Sequence, residues 1–376
     1  MARIGILGAG QLGRMLALAG YPLGLSFRFL DPAPEAPAEA LAERLCGAYD
    51  DPKLLRQFAE GLAVATFEFE NVPVTAVEKL SRHVAVFPSP NALFVGQDRL
   101  HEKEFFERVG MAVPPYVRVD CRADLEAGIR RIGLPAILKT RRLGYDGKGQ
   151  ARIVSEADVE PAWRALGGQP LLLERLVRFD AEVSIIAARN RSGATAFYPL
   201  VENTHGEGIL LRSRVPASCA TPELERQARA HAQAVLAGLE YVGVLAIEFF
   251  VENGVLLANE MAPRVHNSGH WSIEGAETSQ FENHLRALLN WPLGHTEIRG
   301  PSVMYNIIGV LPNLEHLLAL PGVHVHLYGK AARPRRKLGH VTVTAPDLAT
   351  LQARESALAA VWNANEAANA TGTSSL

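Results

Sequence analysis

Val244-Leu245-Ala246-Ile247-Glu248-Phe249-Phe250, continued through Val251-Glu252-Asn253-Gly254-Val255 to Leu256-Leu257-Ala258-Asn259-Glu260, decides how this chain is read. Asn-Gly between two β-rich runs signals a hairpin, so strands are expected over Val244 to Val251 and Val255 to Met261. A carboxylate inside so apolar a strand is costly unless it is neutralised or paired. Two carboxylates facing each other also repel. A divalent cation removes both penalties, and hard oxygen ligands suit Mg²⁺ bridging phosphates, so Glu248 and Glu260 are the candidate metal ligands. Register decides whether they meet. A strict two-residue turn at Asn253-Gly254 would set Glu248 opposite Asn259, whereas a one-residue bulge near Gly254 would set it opposite Glu260. The bulge is expected. An exposed edge hairpin with incidental acids would leave the apolar neighbours unexplained.

The hairpin opens directly into Arg264-Val265-His266-Asn267-Ser268. Arginine supplies a fork for phosphate or carboxylate, and histidine with asparagine supplies short polar contacts. Around this centre the chain has the profile of a globular protein of two or three domains: 376 residues, 48% hydrophobic and 21% charged. A net charge of -2 argues against nucleic-acid binding, which needs a basic face. Cys46, Cys121 and Cys219 form no C-x-x-C pair, so neither a disulfide framework nor a zinc site is indicated. No apolar run reaches membrane-spanning length and no signal segment precedes the first strand, so a cytoplasmic location is expected.

Towards the start, a strand at Arg3 to Leu7, the turn Gly8-Ala9-Gly10-Gln11-Leu12-Gly13 and a helix over Arg14 to Ala19 begin an alternation of strands and helices. Further strands are expected at Ser26 to Leu30, Ala63 to Phe69 and Val84 to Phe87, giving a parallel sheet with helices on both faces and a first domain ending near Pro90. The turn matches G-x-G-x-x-G, with Asp31 placed as a ribose-binding acid would be. Taken alone it favours a dinucleotide, but the same turn serves wherever a helix N-terminus approaches a ligand. Thr66-Phe67-Glu68-Phe69-Glu70-Asn71 is expected to carry both acids on one strand face at the ligand-binding rim of the sheet.

A charged helical stretch from Asn91 to Gly110 leads into a strand-rich region. Between its strands at Ala136 to Lys139 and Ala151 to Val154, the segment Lys139 to Gln150 packs four cations with three glycines. Glycines let backbone amides approach phosphate oxygens and the cations balance their charge. It is no Walker A loop, because Gln150 stands where lysine is required and a strand follows; a hairpin closing over a nucleoside triphosphate fits better. Leu171 to Val177 ends an apolar strand and could line an adenine slot, with Glu182 near the ribose. Later segments are expected as a helix from Pro222 to about Leu239, a helix over Thr278 to Asn290, strands at Val303 to Val310, Val323 to Tyr328 and His340 to Thr344, and a helix fraying after Asn363. The turn Lys330 to Lys337 is dense in cations and is a candidate anchor for a substrate phosphate.

Taken together, the glycine turn, Thr66 to Asn71, Gly144-Tyr145-Asp146-Gly147-Lys148-Gly149-Gln150, Asn259 to His270 and the late basic turn resemble the 5-(carboxyamino)imidazole ribonucleotide synthase family of the ATP-grasp superfamily. The resemblance runs from about residue 2 to 345. It implies an ATP-grasp fold in mixed α/β and α+β form: a Rossmann-like parallel-sheet domain over 1–90, an ATP-grasp domain over 91–300 with a lid subdomain near 115–178, and a small β-rich domain over 301–376. It also implies a homodimer, and ATP- and bicarbonate-dependent carboxylation of 5-aminoimidazole ribonucleotide through carboxyphosphate. By motif, Arg99, Lys139 and the Gly144–Gln150 loop would hold ATP phosphates. Glu174, Arg175, Leu176, Val177 and Glu182 would face the adenosine, with His205 and Asn259 near the nucleotide and Mg²⁺ on Glu248 and Glu260. Gln11, Leu12, Glu68, Asn267, Ser268, Lys330, Arg336 and Lys337 would take the ribonucleotide, Glu70 being the alternative to Glu68. Tyr145, Asp146, Lys148, Arg264, His266 and Asn267 would surround the reacting atoms. Other readings are a related ATP-grasp ligase such as a formate-using transformylase or a biotin carboxylase, an NAD-dependent dehydrogenase, and a nucleotide-binding regulator. A dehydrogenase leaves the glycine loop and acidic hairpin without a role; a regulator needs no carboxylates aimed at a metal.

Overall fold

The computed structural model of the chain describes residues 2–144 and 147–370, so the expectations for Tyr145 and Asp146 lie outside the described residues. Four parallel strands open it: β1 (Arg3–Leu7), β2 (Ser26–Asp31), β3 (Glu43–Cys46) and β4 (Val64–Phe67), side by side as β3-β2-β1-β4. Their apolar side chains, among them Ile4, Ile6, Phe27, Phe29 and Phe67, are buried, as a parallel sheet covered by helices requires. Val84 to Phe87, expected as a strand, contributes only the bridge of Val86 to Ala65. Pro88 follows and lacks the N–H that the ladder needs next.

The helical stretch expected from Asn91 to Gly110 is two helices, Pro90–Gly96 and Arg99–Arg108. Asp98 breaks it by capping the second helix through Leu100 N, 3.0 Å away. A four-stranded antiparallel sheet comes next, ordered β5-β8-β6-β7: β5 (Tyr116–Val119), β6 (Ala136–Thr140), β7 (Gln150–Ile153) and β8 (Leu171–Arg175). β6 and β7 form the expected hairpin around the glycine loop, with Lys139 paired to Gln150.

The remaining strands join one nine-stranded sheet. These are β9 (Ala181–Arg189), β10 (Thr195–Phe197), β11 (Val201–Gly206), β12 (Ile209–Val215), β13 (Gly243–Glu252), β14 (Val255–Ala262), β15 (Ser302–Ile308), β16 (Val323–Leu327) and β17 (Lys337–Thr344). The order is β14-β13-β9-β11-β12-β15-β17-β16, with β10 on β9. The sheet crosses residue 301 without interruption, because β12 pairs with β15. The helix expected over Thr278 to Asn290 begins at Gln280, capped by Ser279, and the last helix continues through Ala370 on good helix formers. His284, on the first of these, ties the sheets together. Its Nδ1 accepts Val244 N–H at 3.0 Å, and its Nε2 lies 3.0 Å from Thr66 Oγ1. Burial holds this imidazole far below its ordinary pKa, at about 3, so it is neutral and can make both bonds.

The β13–β14 hairpin corrects the expected register in one respect. Glu248 does pair with Glu260, yet the turn at Asn253-Gly254 is a strict two-residue one, with Glu252 opposite Val255. Both turn residues have positive φ, 54° and 77°, as a type I′ turn demands. The extra residue is Asn259, since Phe249 pairs with Ala258 and Glu248 with Glu260. The cause lies on the helix Arg99–Arg108. Lys103 Nζ donates to Ala258 O (3.1 Å) and Asn259 O (2.8 Å), and Glu102 Oε1 accepts Met261 N–H at 2.6 Å. These side chains take over the backbone groups that the bulge removes from the ladder. Lys103 is fully buried and its second partner is Glu174, 3.7 Å away. Lys103→Met is therefore expected to lower unfolding free energy by about 3 kcal/mol in urea titration, because it strands two carbonyls and removes one of the two lysines that neutralise buried Glu174.

Candidate active site

The three sheets enclose a cleft of about 920 Å³. Of the residues singled out above, Gln11, Leu12, Glu68, Arg99, Gly144, Lys148, Glu248, Glu260, Arg264, His266, Asn267, Lys330, Arg336 and Lys337 line it. Gln11 and Lys330, 319 positions apart, are hydrogen-bonded to each other across it. Its outer rim is formed where Arg335 bonds Glu207, whose carbonyl would lie 2.7 Å from a Cβ on Gly147 of the glycine loop.

The glycine turn is filled from within. The strand ends at Phe67, so Glu68 and Glu70 do not share a strand face as expected but turn to different partners. Glu68 reaches Gly10 N and Gly13 N (2.8 Å for the latter), at the N-terminus of the helix Gln11–Gly20. A Cβ on Gly8 or Gly10 would come within 2.5 or 2.3 Å of that side chain, which explains both glycines. Asp31 accepts Ala9 N–H at 2.7 Å and Ala33 N–H at 2.7 Å instead of standing free for a ribose. The anion site that the motif advertises thus already holds this chain's own carboxylates.

Glu70 pairs with Arg264. Burial alone would raise its pKa, but the guanidinium outweighs burial and holds the carboxylate down at about 2. Arg264 is thereby committed to Glu70 rather than free as a fork. In the acidic pair, Glu260 lies 2.9 Å from Arg99 Nη1, and this cation overrides burial and lowers its pKa. Glu248 is pushed up to about 7 by burial and then by Glu260. His266 Nε2 lies 3.6 Å from Glu248 Oε1. Burial and Arg264 keep His266 neutral, with its pKa near 3. Two facing hard-oxygen donors, one held ionised and the other strained towards protonation, form a set that Mg²⁺ fits. Glu277, His295 and Glu297 also gather, but they are exposed and do not line the cleft.

Several expected contacts do not line the cleft. Lys139 Nζ is bonded to Glu174 Oε2 at 2.7 Å, and Lys103 and Lys139 together overcome burial to hold Glu174 near pKa 2. Arg175 forks onto Glu252 at 2.9 and 2.8 Å, a surface-side clamp. Its N–H and that of Leu176 donate to Pro115 O and Pro135 O. Val177 is buried, Asn259 is consumed by the bulge, and Ser268 is fully buried. His205 Nδ1 lies 2.9 Å from Glu182 Oε2; this bond and the acids Glu248 and Glu260 outweigh burial and raise the histidine pKa. Within the cleft, Asn267 exchanges amide bonds with Asn306, at 3.0 and 2.7 Å.

Glu102 was not singled out from sequence, yet it lines the cleft beside Glu260 and rises to about 8 through burial and that neighbour. Its signal was the spacing Arg99, Glu102, Lys103, Phe106 on one helical face, which puts three charges on a stripe ending in a core phenylalanine.

Comparison with known proteins agrees with this architecture. Family models match over residues 1–97 (ribonucleotide synthetase preATP-grasp domain), 104–281 (ATP-grasp domain) and 302–354 (phosphoribosylaminoimidazole carboxylase C-terminal domain). An N5-carboxyaminoimidazole ribonucleotide synthase of Pseudomonas aeruginosa is 53% identical over 352 residues, 94% of this chain and 97% of the relative. The chain belongs to the N5-carboxyaminoimidazole ribonucleotide synthase family. The crystal structure of the Thermus thermophilus synthetase of this family superposes with a TM-score of 0.92 at 55% identity, covering 95% of this chain and 98% of that one. A synthase from Aspergillus clavatus in complex with ADP and 5-aminoimidazole ribonucleotide gives 0.89 at 32% identity, over 96% and 98% of the two chains.

Two pH effects follow from these family-site charges. Glu248 has a raised pKa, so its contribution to stability is complete below about 4.5 and is lost as pH rises through about 7. Ligand-free Glu248→Gln should therefore melt above the wild type at pH 8 by calorimetry, with the gap closing at pH 5. Glu70 and Glu174 have depressed values near 2, so their stability is present above about 4.5 and lost as pH falls towards 2. Glu70→Gln should flatten that acid limb in pH-dependent urea unfolding.

Proposed function

We propose that the cleft carboxylates the amine of 5-aminoimidazole ribonucleotide, using ATP and bicarbonate, in a chain that acts as a homodimer in purine biosynthesis. One observation carries this reading: the facing acids Glu248 and Glu260 share a single cleft with Arg264–Asn267, with Gln11 and Glu68, and with the basic turn Lys330–Lys337. An ATP-grasp ligase needs the first of these for metal-nucleotide and the others for an anionic second substrate. When bound, Mg²⁺ would be held by Glu248 and Glu260 and would supply positive charge against the nucleotide phosphates.

The chain's own residues supply positioning and charge. Arg99, beside Glu260, and Lys148, on the glycine loop lining the same cleft, would share the phosphate charge, Arg99 leaving Glu260 to do so. Lys330, Arg336 and Lys337 would hold the ribonucleotide phosphate, with Gln11 and Glu68 orienting the sugar and base beneath it. In that arrangement bicarbonate attacks the γ-phosphorus to give carboxyphosphate and ADP. The carboxyl carbon then passes to the substrate amine, which loses a proton as phosphate leaves. His266 is held neutral, so its N–H can donate to a bicarbonate oxygen without adding charge. The glycine loop, Glu207 and Arg335 meet at the rim and would keep water from so labile an intermediate. Among the described residues no helix is long and apolar enough to cross a membrane.

Phosphate release from Mg²⁺-ATP and bicarbonate should rise strongly when 5-aminoimidazole ribonucleotide is added; release indifferent to the ribonucleotide overturns the substrate. Glu260→Gln should abolish turnover, a loss of at least about 100-fold, while retaining the wild-type far-ultraviolet circular dichroism spectrum. Retained activity would remove Glu260 from the metal site.

A further inference from the structure

Behind His266 a row of polar side chains crosses the nine-stranded sheet on the face that carries the acids. Glu248 pairs with Ser184 on β9; Asn203 on β11 pairs with Glu182, two residues from Ser184 and so on the same face, and Asn203 pairs with Ser213 on β12. Ser184, Asn203, Ser213 and Ser268 are all at least 95% buried, a location where unbonded hydroxyls and amides are costly. Each is satisfied by the next. Ser213 Oγ donates to Asn203 Oδ1 (2.8 Å), Asn203 Nδ2 donates to Ser184 Oγ (3.0 Å), and Ser184 Oγ donates to Ser268 Oγ (2.8 Å).

The direction of this line is forced. The amide of Asn203 offers Ser184 an N–H, so Ser184 must accept there and spend its proton on Ser268. Ser268 accepts that bond, and its own proton is left for His266 Nδ1, 2.9 Å away. Ser268 N–H also points at Nδ1, at 3.3 Å. Two donors converge on Nδ1, so the ring proton sits on Nε2. Gln280 holds the histidine backbone from the other side, accepting His266 N–H at 2.9 Å and donating to His266 O at 2.6 Å. The Nε2–H is left facing Glu248 Oε1 at 3.6 Å, beyond a hydrogen bond and so available to a ligand oxygen lying to the side of the pair.

We propose that Ser184, Asn203 and Ser213 are positioning residues for His266, acting through Ser268 to hold its Nε2–H as a donor toward a carboxylate-class oxyanion bound beside Glu248. This rests on the reading of the Arg264–Asn267 loop as the bicarbonate end of the cleft. It also accounts for Ser268, which the sequence placed on substrate and the fold places behind the ring. The oxyanion would receive a neutral donor of fixed tautomer, next to carboxylates that a charged imidazolium would otherwise bind tightly.

The test reads the ring directly. In ¹⁵N-labelled ligand-free enzyme, with His266 assigned by its loss in His266→Gln, the shifts should be those of the Nε2–H tautomer. Asn203→Asp, the same shape with no N–H to offer, should reverse the line and move His266 towards the Nδ1–H or doubly protonated form. Ser184→Ala, which only deletes a hydroxyl, should lower kcat about tenfold with KM for ATP little changed, and Ser184→Thr should restore it. An Nδ1–H tautomer in the wild type would overturn the proposal. So would wild-type ring shifts and kcat in both Asn203→Asp and Ser184→Ala. Phosphate release that ignores bicarbonate in the wild type would instead overturn the functional reading of the loop, with the ring result unaffected.

Discussion

The structure depends on one buried ammonium group. Lys103 sits with no exposed surface between two carbonyls of β14 and the Glu174 carboxylate, and it is what makes the bulge at Asn259 possible. Without a donor for those carbonyls the ladder would have to close in strict register. Glu248 would then face an asparagine, and Glu260 would turn to the other side of the hairpin. A side chain on a helix thus decides which face of a strand carries an acid, and with it whether a cation can be held.

The same economy governs the rest of the cleft. Its charges are neutralised in pairs, Arg99 on Glu260 and Arg264 on Glu70, as Lys103 and Lys139 neutralise Glu174 outside its lining. Glu248 and Glu102 are pushed towards protonation by burial and by Glu260, and Glu68 is raised by burial. A divalent cation held by Glu248 and Glu260 would relieve this excess of negative charge. The glycine turn shows the converse. Its helix N-terminus already holds Glu68, which takes the N–H groups of Gly10 and Gly13.

Much of this was legible in the residues. The alternation of apolar runs with helical segments fixed the parallel sheet, Asn253-Gly254 marked the hairpin but not the place of its bulge, and the loops at Gly144–Gln150 and Arg264–Ser268 marked the cleft. What was illegible was partnership. Short, half-polar strands such as β3, β11 and β12 carry no clear period, because they are ordered by their neighbours rather than by their own pattern. Arg175, expected beside the adenosine, and Lys139, expected near the phosphates, are each paired with an acid brought from another strand or hairpin, a partnership their own segments do not announce.

By itself, then, the sequence determined that two carboxylates in an apolar hairpin had to be neutralised, and that cations, glycines and short polar side chains were gathered to handle phosphate-bearing ligands. Those conclusions follow from local chemistry, since the cost of burying a charge and the φ freedom of glycine belong to the residue and its immediate neighbours. Only the tertiary structure decided where the bulge falls, which cations remain for ligand, that Glu68 fills the glycine turn, and that Ser268 stands behind His266 instead of in front of it. Each of these depends on a donor or acceptor delivered from a distant element, and hydrogen bonds of fixed length and direction are satisfied by position in space rather than in sequence.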